Sequence, residues 1–153
     1  MKTIQLTNSP KVAIVDDEDY ERVAWLNWKL HPEGYACSKN TVNGVAFQIL
    51  LHHAVIGSPL IGIADHRDRN RLNNQKNNLR YCTYRQNAQN CTARRDGLKG
   101  VYFNRRSKAN PWVAQIVVDG RKLWLGSFPT EEQGHLAYCQ AASQYFGDFA
   151  CYA

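Results

Sequence analysis

RDRNRLNNQKNN, residues 67 to 78, carries one apolar side chain, Leu72. A stretch this rich in Asn and Arg is too polar to be buried and has to be a loop. Its neighbours are of the opposite kind. LIGIADH before it and LRYC (79 to 82) after it read as short apolar strands. Thr83-Tyr84-Arg85-Gln86 then fits the capping box T-x-x-Q, so a helix begins there and carries Asn87 in its first turns. Strand, loop, strand, helix is the expected order, with Asp65 and His66 at the end of the first strand, where Asn87 can face them.

The start of the loop, ADHRDRN (64 to 70), sets a carboxylate beside an imidazole among arginines at 67, 69 and 71. These are the types needed to hold a metal ion, deprotonate a water and grip a phosphate, so one reading is a nuclease centre. A solvated turn is the other. Charge distribution bears on the choice. The net charge of +6 is uneven: residues 1 to 64 sum to −1, residues 65 to 122 to +10, and residues 123 to 153 to −3. A basic block between mildly acidic ends is the electrostatic footprint of a nucleic-acid binder, because a polyanion releases counterions to clustered cations.

The 153 residues suffice for one ordinary domain or two small ones, and 44% apolar content excludes wholesale disorder. No apolar run approaches the roughly 18 residues of a membrane span, and MKTIQLTNSP lacks the pattern of a secretory signal. A cytoplasmic protein that meets no membrane is expected. The five cysteines are odd in number and widely spaced, without a C-x-x-C pair, which argues against a disulfide framework and against structural zinc.

KVAIV (11 to 15) reads as a strand. The acids of DDEDYER lack the D-x-D-x-D-G spacing of a calcium loop; they suit the start of a helix capped by Asp16 or Asp17, where negative charge meets the positive end of the dipole. Trp25 and Trp28, three apart, then belong to the core. YACS and VAFQIL flank Asn43-Gly44, a hairpin signal, although VAFQILLHHAVIG can equally run as a helix from about Phe47. His52 and His53 cannot share a helix face, so packing or hydrogen bonding suits them better than metal ligation.

LHH (51 to 53), DH (65, 66), N-N (73, 74), NLR (78 to 80) and T-x-x-QN-x-x-N (83 to 90) together resemble the His-Asn-His (HNH) homing endonucleases of phages and mobile introns, over about residues 47 to 92. The resemblance implies a β-β-α-metal unit that binds one divalent cation through Asp65 and Asn87, with His66 as general base and Asn78 bracing the loop. The chemistry suits these types. A carboxylate plus an amide oxygen is a hard, weakly charged ligand set for Mg²⁺ or Mn²⁺, with water and phosphate oxygens completing the shell. Imidazole, with an ordinary pKa of about 6.5, accepts a proton near neutrality. Adjacent strand residues point to opposite faces, so Asp65 and His66 can divide the tasks. Arg67, Arg69, Arg71 and Arg80 are candidate phosphate clamps. The chain departs from the family in lacking a Gly-containing turn after DH and in carrying His53 and Gln75 where Arg is usual.

CTARRDGLKG (91 to 100) reads as a linker. Beyond it, WVAQIVV and RKLWLGS are strands joined by a type I′ turn at Asp119-Gly120. The turn sets Val118 opposite Arg121, Val117 opposite Lys122, Ile116 opposite Leu123, Gln115 opposite Trp124 and Ala114 opposite Leu125. Ala114, Ile116, Leu123 and Leu125 form a buried face, and Gln115, Val117, Lys122 and Trp124 the other. Thr130-Glu131-Glu132-Gln133 is a second capping box, opening a helix that lies on the apolar face. KGVYF (99 to 103), WLGSF (124 to 128), A-Y (137, 138), AA (141, 142) and YFGDFA (145 to 150) resemble the plant ethylene-response-factor (APETALA-type) DNA-binding domain. That resemblance implies a three-stranded sheet laid in the major groove. Lys99, Lys122, Trp124 and Tyr138 match contact positions of the family; Tyr102, Asn104, Gln115 and Val117 occupy such positions with other residue types. Arg105, Arg106 and Lys108 can add phosphate contacts.

The expected protein is thus α+β: an HNH module with an N-terminal α/β extension (1 to 92), a linker (93 to 98), and a small three-stranded antiparallel sheet packed on one helix (99 to 153). The expected function is a divalent-metal-dependent endonuclease that acts on double-stranded DNA as a monomer. A non-cleaving DNA-binding regulator with an inactive HNH fold is the alternative.

Overall fold

β1 (Lys2–Gln5) and β2 (Val12–Val15) pair antiparallel, Lys2 opposite Val15 and Gln5 opposite Val12. Alternation along β2 turns Ala13 and Val15 inward, where both are fully buried. Ile14 extends the sheet sideways by its backbone. Its N–H donates to the Leu72 carbonyl (2.7 Å) and its carbonyl accepts from Asn74 N (2.8 Å), forming a parallel bridge to Asn73. The computed structural model describes residues 1–59, 61–92 and 97–152, and the chain divides into two compact units, Met1–Tyr84 and Arg85–Ala153. The division falls ahead of the expected boundary at residue 92, and the expected linker lies mostly outside the described residues.

In the first unit, α1 (Asp17–Val23) follows β2 with its acids in the first turn. Asp16 is the residue preceding the helix, yet its carboxylate makes no bond to the helix. It accepts instead from Gln75 Nε2 (2.9 Å) and Lys76 N (2.8 Å) in the polar loop. Helix α1 stops too early for the expected pairing of the tryptophans. Trp25 lies beyond its end and is 77% exposed, whereas Trp28 is buried and donates its Nε1–H to the Val23 carbonyl (2.8 Å). Only Trp28 belongs to the core.

β3 (Lys29–Leu30), β4 (Ala36–Val42) and β5 (Val45–Leu50) form an antiparallel sheet in that order. Asn43 and Gly44 both have positive φ, +52° and +79°, as a type I′ turn requires. The strand persists to Leu50, and α2 (Leu51–Ile56) follows as a separate short helix ended at Gly57. β6 (Ile63–His66) pairs with β7 (Leu79–Cys82), setting Asp65 opposite Arg80 and His66 opposite Leu79. Ile4, Leu6, Val15, Val23, Trp28, Leu51, Val55 and Leu79 are among the buried apolar residues that close this core.

Between β6 and β7, residues 67 to 78 are a loop, but a surface loop only in part. Asn74 is fully buried and Asn78 nearly so, contrary to the expectation that the segment is too polar to be buried. The Asn78 side chain is bonded inside the loop, and Asn74 is drawn in by its backbone N–H, which donates to β2, and by its side-chain oxygen, which meets His66.

α3 (Tyr84–Gln89) begins after Thr83 and runs into the second unit. There β8 (Val101–Phe103), β9 (Trp112–Val118) and β10 (Arg121–Phe128) form an antiparallel sheet with β9 central. Asp119 and Gly120 make the tight turn with φ of +51° and +78°. The expected register holds from Val118–Arg121 to Gln115–Trp124 and then shifts: Ala114 faces Gly126, with Leu125 bulged. Gly126 has φ +141°, and a Cβ there would come within 2.9 Å of the Phe128 ring. α4 (Glu131–Phe146) opens with Thr130 Oγ1 accepting from Gln133 N (3.3 Å). Its Tyr138, Ala141 and Ala142 pack with Ile116, Leu123 and Leu125. Tyr138 is buried, so it cannot touch DNA as the family match suggests. Its ring lies so close to Gly100 that a Cβ on that residue would fall 2.0 Å from the ring. The whole is a mixed α+β chain of small antiparallel sheets and few helices, none of which, among the described residues, is long and apolar enough to cross a membrane.

Candidate active site

The β6–β7 register decides the surroundings of Asp65. Residues directly opposite on antiparallel strands share a face, so Asp65 and Arg80 meet, both buried. Arg80 Nε donates to Asp65 Oδ2 at 2.9 Å and Nη2 lies 2.8 Å from the same oxygen. This corrects the expectation for Arg80, whose guanidinium is engaged by the carboxylate inside the unit and is not an exposed phosphate clamp.

His66, next along the strand, turns to the other face and is also buried. Its Nε2 lies 3.2 Å from Asn74 Oδ1. The ring of His52 stands edge-on to it, centroids 5.2 Å apart at 87°, and Tyr35 lies 6.1 Å away. Burial is the largest influence on the imidazole and holds its pKa below the usual histidine value. The contact with Asn74 and the carboxylates of Asp68 and Asp65 oppose that shift, and Arg71 adds to it. His66 is therefore neutral at pH 7.

Asn78 ties the loop together. Its Oδ1 accepts from Asp68 N (3.0 Å), and its Nδ2 donates to Asp68 Oδ1 (2.9 Å) and to the Asn73 carbonyl (2.8 Å). Burial alone would raise the Asp68 pKa, but hydrogen bonds from Asn73, Asn70 and Asn78 outweigh it and leave a carboxylate held below its ordinary range. At Arg69, φ is +64°, in the left-handed region that favours glycine. Arg67 and Arg69 are exposed; Arg71 stacks its guanidinium 4.6 Å from the Tyr35 ring and donates to the Glu33 carbonyl. Asn87 sits half-buried on α3 in the second unit, its carbonyl accepting from Cys91 Sγ (3.4 Å).

Three neighbours of the motif go unassigned in the sequence, Asn74, Asp68 and Tyr35, whereas His52 has the packing place expected of it. The N-N pair is a visible signal for Asn74, but Tyr35 has none. His52 is buried against His66, and its Nδ1 has no hydrogen-bond partner among the described residues. Burial first, then the neighbouring His53 and His66, push its pKa to about 3. Between about pH 6.5 and that value the unfolded chain binds a proton that the folded chain refuses, so stability is full above pH 6.5 and falls with acid by up to about 1.4 kcal/mol per pH unit. Urea unfolding at about pH 7, 6 and 5 is expected to follow that slope, and His52→Phe to flatten it; an unchanged slope in His52→Phe would assign the acid sensitivity elsewhere.

In the second unit the face of the sheet away from α4 carries Tyr102, Val117 and Trp124, exposed by 48%, 49% and 71%, together with Gln115 and Lys122. Arg105, Arg106 and Lys108 are exposed in the β8–β9 turn. Two expected contacts are otherwise engaged. Asn104 Oδ1 accepts from Arg106 N (3.1 Å) and shapes that turn, and Lys99 Nζ donates to the carbonyls of Gln89 (2.7 Å) and Cys91.

Among the described residues, no three of His, Cys, Asp or Glu gather as a metal-holding cluster. Asp65 is a hard-oxygen donor of the type a magnesium-like ion takes, and Arg80 holds its Oδ2.

No family model matches the chain, and no solved structure matches it. Over 142 residues it is 30% identical to a protein of Acanthamoeba polyphaga mimivirus named as an uncharacterized HNH endonuclease, an alignment that covers 90% of this chain and 72% of that relative. With a buried Asp-His pair on a β-hairpin and that extent of identity, the chain belongs to the HNH endonuclease family.

Proposed function

We propose that the protein is a divalent-metal-dependent endonuclease that hydrolyses phosphodiester bonds of double-stranded DNA. The observation that carries this reading is His66: an imidazole neutral at pH 7, fixed by a buried neighbour and one residue from a buried carboxylate. His66 takes the proton of the attacking water. Asp65 and, as the HNH resemblance implies, Asn87 would hold one Mg²⁺ or Mn²⁺, which when bound supplies charge stabilisation at the departing oxygen. Asn78 keeps the β6–β7 loop in shape around His66, and Arg67, Arg69 and Arg71 attract the phosphate backbone. Tyr102, Gln115, Lys122 and Trp124 on the outer face of the C-terminal sheet, with Arg105 and Arg106 beside it, hold the duplex. A β-surface can enter the major groove, and an exposed Trp beside Lys suits that use.

Purified protein incubated with supercoiled and linear duplexes and Mg²⁺ or Mn²⁺ tests the reading. Cleavage that a chelator abolishes is expected; intact DNA under all these conditions favours the non-cleaving regulator. Affinity, measured with the metal omitted, is expected to fall about a thousandfold between 50 and 200 mM salt for roughly six phosphate contacts. Lys122→Ala should lower the salt slope by about 1. A slope unchanged by Lys122→Ala would remove the sheet from the DNA interface.

A further inference from the structure

We propose that Asn74 is the positioning residue for His66: its amide oxygen holds the ring in the tautomer with the proton on Nε2, so that Nδ1 is the atom that takes the proton from water. The inference deepens the nuclease reading and rests on it for the second half only. Asn74 Oδ1 lies 3.2 Å from His66 Nε2. An amide oxygen only accepts, so the nitrogen facing it carries hydrogen and the other ring nitrogen carries the lone pair.

Asn74 is built to stay in place. It is fully buried, its N–H donates to the Ile14 carbonyl at 2.8 Å, and Ile14 N is tied in turn to the Leu72 carbonyl at 2.7 Å. The preceding Asn73 is anchored to Asp68 Oδ2 at 2.8 Å. Backbone bonds to β2 therefore fix the position of the residue that carries the amide. His52 closes another side of the imidazole with an edge-on ring that stays uncharged down to about pH 3. The position also has a cost that packing alone does not explain. Asn74 Nδ2 is buried with no hydrogen-bond partner among the described residues, an arrangement that opposes folding. Retaining a buried amide there makes sense if its oxygen serves the ring of His66.

The test is long-range ¹H–¹⁵N correlation NMR of the full chain with ¹⁵N-labelled histidine, at about pH 8, where the ring is neutral. Wild type is expected to give His66 with a pyrrole-like Nε2 and a pyridine-like Nδ1. Asn74→Asp, which keeps an acceptor, should retain that pattern, and Asn74→Ala should give a mixture of tautomers. In cleavage assays Asn74→Ala should lower kcat by about 10- to 100-fold with KM unchanged, the size of effect that supporting partners of a site residue have, and Asn74→Asp should recover part of the loss. A pyridine-like Nε2 in wild type, or an unchanged tautomer in Asn74→Ala, overturns the proposal. Should Asn74→Ala fail to fold, wild type and Asn74→Asp still decide the tautomer. The spectrum needs no cleavage, so a protein that shows the Nε2–H tautomer yet cuts no DNA would refute the nuclease reading alone.

Discussion

His66→Ala is expected to bind duplex DNA as wild type does and to cleave it about 10²- to 10⁴-fold more slowly, the usual contribution of a positioned general base. The imidazole is buried on the face of β6 opposite to Asp65, so its removal leaves the Asp65–Arg80 pair in place. It also leaves the exposed outer face of the C-terminal sheet untouched. Binding and cutting should therefore separate: fluorescence anisotropy with labelled duplex at fixed salt reports the first, and single-turnover cleavage with saturating enzyme the second. The cavity left by the ring is bounded by His52 and Asn74, and a small fall in thermal stability is expected, to be read by circular dichroism before any rate is compared. A folded His66→Ala protein that cuts at the wild-type rate would end the assignment of the base. Equal loss of affinity and rate would instead make His66 a structural residue of the loop.

Much of the fold is legible because its signals are local. The two type I′ turns at Asn43-Gly44 and Asp119-Gly120 need positive φ at both central positions, which those residue pairs accept, and the adjoining strands inherit their register from the turn. The capping box at Thr130 likewise acts within four residues. What escapes the sequence depends on distance along the chain or on geometry that composition hides. The helix α1 stops after Val23, and no periodicity argument says that Trp25 falls beyond it. The bulge after Trp124 has a readable sign in Gly126, since glycine inside a strand marks such irregularities, but the two-residue turn alone predicts an unbroken ladder. In the candidate site, Asp65 and His66 stand out as a pair, whereas the pairing of Asp65 with Arg80 depends on a strand register that a long loop does not dictate. Asn74 is the most instructive case. Composition marks asparagine as a solvated loop residue, yet backbone bonds to β2, more than fifty positions earlier, draw it to full burial beside His66.

Arg80→Met is expected to cost about 3–5 kcal/mol of stability, the effect of leaving a buried carboxylate without its charged partner. That is a large share of the roughly 5–15 kcal/mol that holds a domain folded. Asp65 is 6% exposed and Arg80 8%, so water cannot readily replace the guanidinium. The double variant Asp65→Asn, Arg80→Met removes both charges and should recover most of the loss, because a matched pair of neutral groups needs no compensation there. A double-mutant cycle in urea measures the coupling directly. Magnesium adds a second readout. If Asp65 is a cation ligand, Arg80→Met leaves a carboxylate that a divalent ion can neutralise, and millimolar Mg²⁺ should raise the melting temperature of that variant more than that of wild type, while the double variant should not respond. Additive single effects would reduce the Asp65–Arg80 contact to incidental proximity, and a Mg²⁺ response equal in all three variants would move the ion away from Asp65.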